Sequence, residues 1–308
     1  MAATIIYTTL LFIRTILPLL KDRPSIPVSV NYFFTRKCNK TCGFCFHTAK
    51  TSYLNIAGGE PFLYPKFLGA MVRFCKEDLR LPSVSIVTNG SKVTQRFLAE
   101  HAKYIDVLAV SCDSFNEQTN IAIGRGDGDN VSQLFRIRDW CMEYNIKFKL
   151  NTVVNRLNQA EDMNAMVKQL QPFRWKVFQV LVVGGENESE DRLRDARGMT
   201  ITDEEFEAFC ERHKGIKAMI PESNRVMASS YLLVDEYMRF MDKGSNEKMK
   251  ESDSILDVGV EKAMVKVRWD EDAFYERGGV YNWSKTIPGK EKKPACGSGL
   301  AAGGALDW

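Results

Sequence analysis

The sequence predicts an α/β fold: a partial (β/α)6 barrel of the TIM type with a C-terminal extension. Three observations predict it. Between residues 28 and 183, short β-rich runs alternate with helical patterns, as expected of βα units around a parallel sheet. Six such β-rich runs are present, which favours a partial or full barrel over a doubly wound sheet. The chain has 308 residues, 44% hydrophobic and 26% charged, enough for a buried core and free of collagen-like, disordered or multi-span membrane bias.

The expected strands are 28–34, 54–57, 83–88, 105–111, 146–153 and 174–183, with helices at 65–79, 92–103, 131–144 and 160–171. Pro65 suits the first turn of its helix, where a missing N–H costs nothing. A further helix at 202–213 opens with Thr202 and Glu205 at capping-box spacing. One unit is short. Only Phe46 to Tyr53 separate the cysteine-rich stretch after the first strand from the second strand. A parallel crossover needs a dozen or more residues, so the second strand is not expected to be an ordinary parallel neighbour, and the first βα unit reads as truncated.

The domain organisation read from composition is a hydrophobic N-terminal segment (1–23), a barrel (24–200), an extension (201–285) and a flexible tail (286–308). Thr4 to Leu20 are almost wholly apolar, interrupted by Arg14 and Pro18. As a helix the run is about 26 Å long, slightly short for a bilayer core, and a membrane-facing anchor is favoured over a cleaved signal or a buried helix. The tail is rich in Gly, Ala, Lys and Pro and ends in Leu306, Asp307 and Trp308, where an exposed aromatic is a candidate handle for a partner. A net charge of +3 excludes a polycationic nucleic-acid binder, and no direct nucleic-acid contact is expected.

Three of the eight cysteines, Cys38, Cys42 and Cys45, crowd into one octapeptide after the first strand, while Cys75, Cys112, Cys141, Cys210 and Cys296 are scattered. This is not a secreted disulfide scaffold; it points to a reducing compartment and a metal site. Three thiolates can hold an iron–sulfur cube with one iron left open. A structural zinc would need a fourth ligand, for which His47 is available. Gly58-Gly59-Glu60-Pro61 closes the second strand with bare backbone that a ligand can approach and a carboxylate able to accept from an ammonium group. His101 and His213 read as surface or capping residues, and the four cysteines from Cys75 to Cys210 as core or half-buried thiols.

With CxxxCxxC, and Phe44 before its last cysteine, the chain resembles the radical S-adenosylmethionine (SAM) superfamily. NYFFTRKCNKTCGFCFHTAKTS (31–52), RFCKEDLRLPSVSIVTNGS (73–91), SCDSF (111–115), IGRGDG (123–128), RWKVFQ (174–179), RHKG with PESN (212–224), YLLVDEYMRF (231–240), SILDVGVEKA (254–263) and RGGVYNWSK (277–285) narrow the resemblance to the viperin family, from about Val28 to Lys285. That resemblance implies a [4Fe-4S] cluster on Cys38, Cys42 and Cys45. It implies SAM held by Phe44, Gly58, Gly59, Glu60, Pro61, Ser111 and Arg125. It also implies conversion of CTP to 3′-deoxy-3′,4′-didehydro-CTP, an antiviral chain terminator, through a 5′-deoxyadenosyl radical that takes the C4′ hydrogen. The triphosphate contacts implied are Lys149, Asn151, Arg174 and Lys176, with Asn31, Tyr231 and Arg277 as further substrate contacts. An interferon-inducible protein on the cytosolic face of the endoplasmic reticulum and on lipid droplets is implied as well, with Trp308 recruiting the cytosolic iron–sulfur machinery. The chain departs from the family where Ser52 runs almost directly into Asn55, without the helix that members carry there, and where Tyr53 replaces a lysine.

The residues themselves support an anionic ligand. Strands buried on both faces normally read as apolar runs, yet Lys147, Lys149 and Asn151 share one face at spacing two, as do Arg174 and Lys176. Neither strand supplies adjacent carboxylates, so an anion inside the barrel is the expected partner, with Lys147 instead reaching water at its strand end. Two other readings stand beside the enzyme: a catalytically impaired, membrane-associated interaction protein, and a zinc-stabilised βα protein.

Overall fold

The computed structural model describes residues 31–33, 39–40, 55–57, 59–183, 187, 194–235, 237–242, 250–267, 269–279 and 284–285. The expectations for the segment 4–20, Phe44, Cys38, Cys42, Cys45, His47, Gly58, the shortened stretch before Asn55 and the tail with Trp308 lie outside those residues. Among the described residues no helix is long and apolar enough to cross a membrane.

The described strands form one ten-stranded sheet ordered β10-β9-β8-β1-β2-β3-β4-β5-β6-β7. They are β1 (Asn31–Phe33), β2 (Asn55–Ala57), β3 (Ser85–Thr88), β4 (Val107–Ser111), β5 (Lys147–Val154), β6 (Arg174–Gln179), β7 (Met219–Glu222), β8 (Leu233–Val234), β9 (Arg239–Asp242) and β10 (Lys250–Ser254). From β8 through β1 to β7 neighbours pair parallel; β9 and β10 are added antiparallel. The α/β partial barrel is therefore as expected, with each of the six expected strands present at shifted ends.

Two corrections follow. β2 is an ordinary parallel neighbour of β1, with Phe33 opposite Ala57. The whole stretch 34–54 serves as the crossover, cysteine loop included, which exceeds the dozen residues a parallel connection requires. The second correction is that β7 to β10, absent from the expected strands, extend the sheet at both edges. Their runs are too short for a period-2 signal, and Pro221 within β7 argues against a strand.

Alternation along the strands separates two layers. Ile56, Ile86, Leu108, Val110, Phe148, Leu150, Trp175 and Val177 face the helices and belong to the main core. Helix α1 (Pro65–Glu77) covers the sheet with Leu68, Met71, Val72 and Cys75, starting at Pro65 as expected. Residues of opposite parity line the inside, where Ala57, Leu233 and Met241 form a small cluster against Val87 and Tyr231. A later helix, Asp203–Arg212, carries the full Thr202–Glu205 capping box. His213 caps its end fully buried: Nε2 accepts from the Met163 N–H at 2.9 Å, and Nδ1 lies 2.8 Å from the Phe209 carbonyl. That is a structural role.

Candidate active site

At the ends of β2 to β4, Gly59 has φ +50°, a conformation that favours glycine, and Pro61 opens a short 3₁₀ turn, Pro61–Leu63. Glu60 is fully buried. Its Oε1 accepts from the Phe62 N–H at 3.0 Å and the Thr88 hydroxyl at 2.7 Å, and its Oε2 from the Asn89 N–H at 2.7 Å. Burial raises its pKa against the pull of those three hydrogen bonds. These hydrogen bonds pin the glycine turn to β3, and Oε2, which accepts only one of them, keeps acceptor capacity for a ligand's ammonium.

Ser111 ends β4 half-buried, opposite Asn151 on β5. Arg125 Nε donates to the buried Asp113 at 2.6 Å. Between the first two motif cysteines, Asn39 bonds Ser91 at 2.9 Å and Asn89 at 3.1 Å, and buried Lys40 reaches Asp127 at 3.9 Å. Asn39 and Lys40 thus contact the loops after β3 and β4. Among the described residues no group of three His, Cys, Asp or Glu side chains could hold a metal. Cys75, Cys112 and Cys141 are buried and Cys210 half-buried, all unpaired. Desolvation pushes the Cys75 and Cys141 thiols up to about 12 and Cys210 to about 11, with Cys112 also raised, so all four stay protonated and unreactive.

The other side of the barrel mouth gathers charge. Lys149 from β5, Arg174 and Lys176 from β6, and Arg277 after the helix Glu271–Glu276 are only 8%, 9%, 5% and 9% exposed. Register places Lys149 beside Arg174 and Asn151 beside Lys176. Within this group lies Glu222, at the end of β7 and fully buried. It receives the Lys176 ammonium and the Tyr231 hydroxyl, and Arg277 Nη1 lies 3.4 Å away. Tyr231 accepts from Lys176 at 3.0 Å, and the Arg277 guanidinium sits 3.9 Å from the Tyr231 ring centroid. Arg174 Nη2 donates to the Gly278 carbonyl at 2.6 Å. Gly278 has φ +65°, and a Cβ there would stand 3.1 Å from that nitrogen.

Lys149 has no hydrogen-bond or ion-pair partner among the described residues. Burial and then the neighbouring Lys176 charge hold its pKa well below the usual lysine value. Lys176 is lowered to about 8, first by burial and against the pull of Glu222. For Glu222, burial alone would raise the pKa; Lys176 and Arg277 outweigh it and leave it lowered. Among the described residues, Asn151 Oδ1, Ser230 Oγ and Arg277 Nε are buried without a hydrogen-bond partner. Lys147, at the start of β5, is half-buried against the Phe173 ring, as expected of a strand end. Asn31 lies on β1 beside Leu233 of β8.

Sequence reasoning missed Glu222, Asp113 and Thr88. It found no carboxylate on the basic strands themselves, correctly, but the counter-charge arrives from β7. The signal available was the Glu of PESN closing an apolar run.

Comparison with known proteins places this geometry. The Radical SAM superfamily model matches residues 46–170. The S-adenosylmethionine-dependent nucleotide dehydratase RSAD2 of Oncorhynchus mykiss is 46% identical, over 89% of this chain and 85% of its own length. Its counterpart in Siniperca chuatsi is 49% identical over 84% and 80%. The chain belongs to this radical SAM family of nucleotide dehydratases. A more distant S-adenosylmethionine-dependent nucleotide dehydratase of Flammeovirga pacifica is 34% identical over 83% of this chain and 96% of its own. Among solved structures, Streptococcus suis SuiB bound to S-adenosylmethionine superimposes with a TM-score of 0.53 at 15% identity, covering 80% of this chain and 68% of that one, a likeness of fold alone. The cofactors of the radical SAM family are a [4Fe-4S] cluster and SAM.

Proposed function

We propose that the chain binds CTP and dehydrates it to 3′-deoxy-3′,4′-didehydro-CTP. The observation that carries this reading is the imbalance of buried charge: four basic side chains, Lys149, Arg174, Lys176 and Arg277, and, among the described residues, Glu222 as the one carboxylate contacting Lys176 and Arg277. Buried charges need partners, and a triphosphate supplies them through charge-assisted hydrogen bonds. The orphaned Asn151 Oδ1 and Arg277 Nε add unmet polar capacity to the same wall. In this reading Lys149, Asn151, Arg174 and Lys176 grip the phosphates, while Asn31, Tyr231 and Arg277 complete the substrate contacts.

The opposite wall fits SAM. The Gly59 turn admits close approach, Ser111 offers a hydroxyl and Arg125 a guanidinium for a carboxylate. Phe44, Gly58 and Pro61 belong to the same assignment, with Glu60 holding the turn. Cys38, Cys42 and Cys45 are assigned to the cluster, the described cysteines being buried or half-buried thiols with raised pKa values. Once bound, cluster and SAM supply the radical that removes the C4′ hydrogen before the 3′ hydroxyl departs. The protein's own residues fix the ribose between the two walls and keep water out.

The parallel pairing of β2 with β1 and the turn from Gly59 to Leu63 support an active enzyme over an impaired interaction protein. The segment 4–20 is assigned to the cytosolic face of the endoplasmic reticulum and lipid droplets, and Trp308 to the iron–sulfur delivery machinery. Anaerobically reconstituted protein given SAM and a reductant is expected to form 5′-deoxyadenosine faster with CTP than with UTP or ATP. Equal rates with all three overturn the choice of base.

A further inference from the structure

β7 and β8 are the two ends of the parallel arc and are not paired with each other. Across that seam the connection is made by side chains. Glu222 at the end of β7 holds the hydroxyl of Tyr231, two residues before β8, and Arg277 reaches both Glu222, at 3.4 Å, and the Ser230 carbonyl, at 3.2 Å. Glu222 also holds Lys176 from β6. One buried carboxylate therefore ties together three groups of the cation cradle that arrive from three separate parts of the chain.

We propose that Glu222 is the positioning residue of this anion site: it aims the Lys176 ammonium, keeps it charged while no anion is present, and locks Tyr231 and Arg277 across the β7–β8 seam. This deepens the nucleotide reading and rests on it. The physical case is one of compensation. Lys176 faces Lys149 from β5, Arg174 on its own strand, Glu222 from β7, Tyr231 before β8 and Arg277 after the last described helix. Three of these five are cations, Tyr231 is neutral, and among the described residues only Glu222 opposes the repulsion and the loss of water around the ammonium. Without that carboxylate the ammonium discharges at lower pH, and an anion that needs it charged must first bring a proton with it.

The test measures binding of inorganic triphosphate to the full chain by isothermal titration calorimetry between pH 6 and pH 9. For Glu222→Gln, the ratio of variant to wild-type affinity is expected to fall about tenfold across that range, the effect of a one-unit displacement in one titration. The double variant Glu222→Gln/Lys176→Arg, whose guanidinium cannot be discharged, is expected to abolish that fall. A ratio that stays flat for Glu222→Gln, or that falls equally in the double variant, overturns the proposal, because a purely structural role shifts affinity by the same factor at every pH. Should Glu222→Gln fail to fold, Glu222→Asp decides: it keeps the charge but withdraws it by one methylene, so its affinity relative to wild type should fall with pH to a smaller degree, and a constant ratio refutes the assignment. Wild-type protein that binds no triphosphate at all sinks the nucleotide reading itself, a result distinct from failure of the Glu222 role.

Discussion

Two buried carboxylates sit at the same barrel mouth and are compensated in opposite ways. Glu60 is met by uncharged donors from its own chain, the Phe62 and Asn89 N–H groups and the Thr88 hydroxyl. Glu222 is met by two cations and a phenol, with two further buried cations, Lys149 and Arg174, close by. The first network is closed: donors and acceptor match, and their common effect is to fix the glycine turn. The second is open, because among the described residues its cations outnumber the carboxylate that contacts them, and an entering anion adds the missing counter-charge. A closed network contributes stability, while an open one gives up some stability for the sake of binding.

The largest expected effect tests the closed side. Glu60→Ala strands three donors at a buried site and should destabilise the protein by roughly 4 kcal/mol, with little help from relaxation in the tight turn. Urea denaturation measures it, and a loss under about 1 kcal/mol would mean that the turn is held by something other than this carboxylate. The next effect tests the open side and has opposite signs in two measurements. Lys149→Met should weaken triphosphate binding about a hundredfold, as expected for a buried charge-assisted contact. The same change should stabilise the ligand-free protein by about 1 kcal/mol, because it removes an amine whose burial already holds its pKa well below the usual lysine value. Loss of stability alongside loss of binding would show that Lys149 is already compensated before an anion arrives.

The two walls were also unequally legible in the sequence. Basic residues at spacing two inside apolar strands marked Lys149, Arg174 and Lys176, because a period-2 pattern states which residues share a face and charge on a buried face is costly. Glu222 carried no such mark. Its strand is four residues long, contains a proline, and meets β6 only after the intervening helix Asp203–Arg212, so the partnership is a product of tertiary register. Glu60 was visible as a motif residue, yet its side-chain partner Thr88 sits 28 residues away, and nothing local says that the carboxylate turns inward. The β1–β2 pairing failed for a different reason. A count from the last cysteine sees only eight residues, whereas the whole connection from the end of β1 bears the geometric burden. Periodicity therefore read the elements and their inner faces, while contacts between elements far apart in sequence remained beyond it.

The smallest expected effect sharpens the contrast by removing one neutral hydroxyl from each network. Thr88→Val is nearly isosteric and deletes a donor to Glu60 together with the acceptor of the Gly90 N–H at 3.0 Å. Only the weak pull of Arg125 remains to offset the loss, and about 1.5 kcal/mol of stability should be lost. Tyr231→Phe deletes the corresponding donor to Glu222, but Lys176 and Arg277 stay in place, and their attraction to the carboxylate grows as the phenol withdraws. The loss there should be less than half as large, about 0.5 kcal/mol. Thermal unfolding of both variants without ligand makes the comparison directly. Equal losses would mean that the surplus of positive charge beside Glu222 does not buffer it, and the distinction between a closed and an open network would no longer hold.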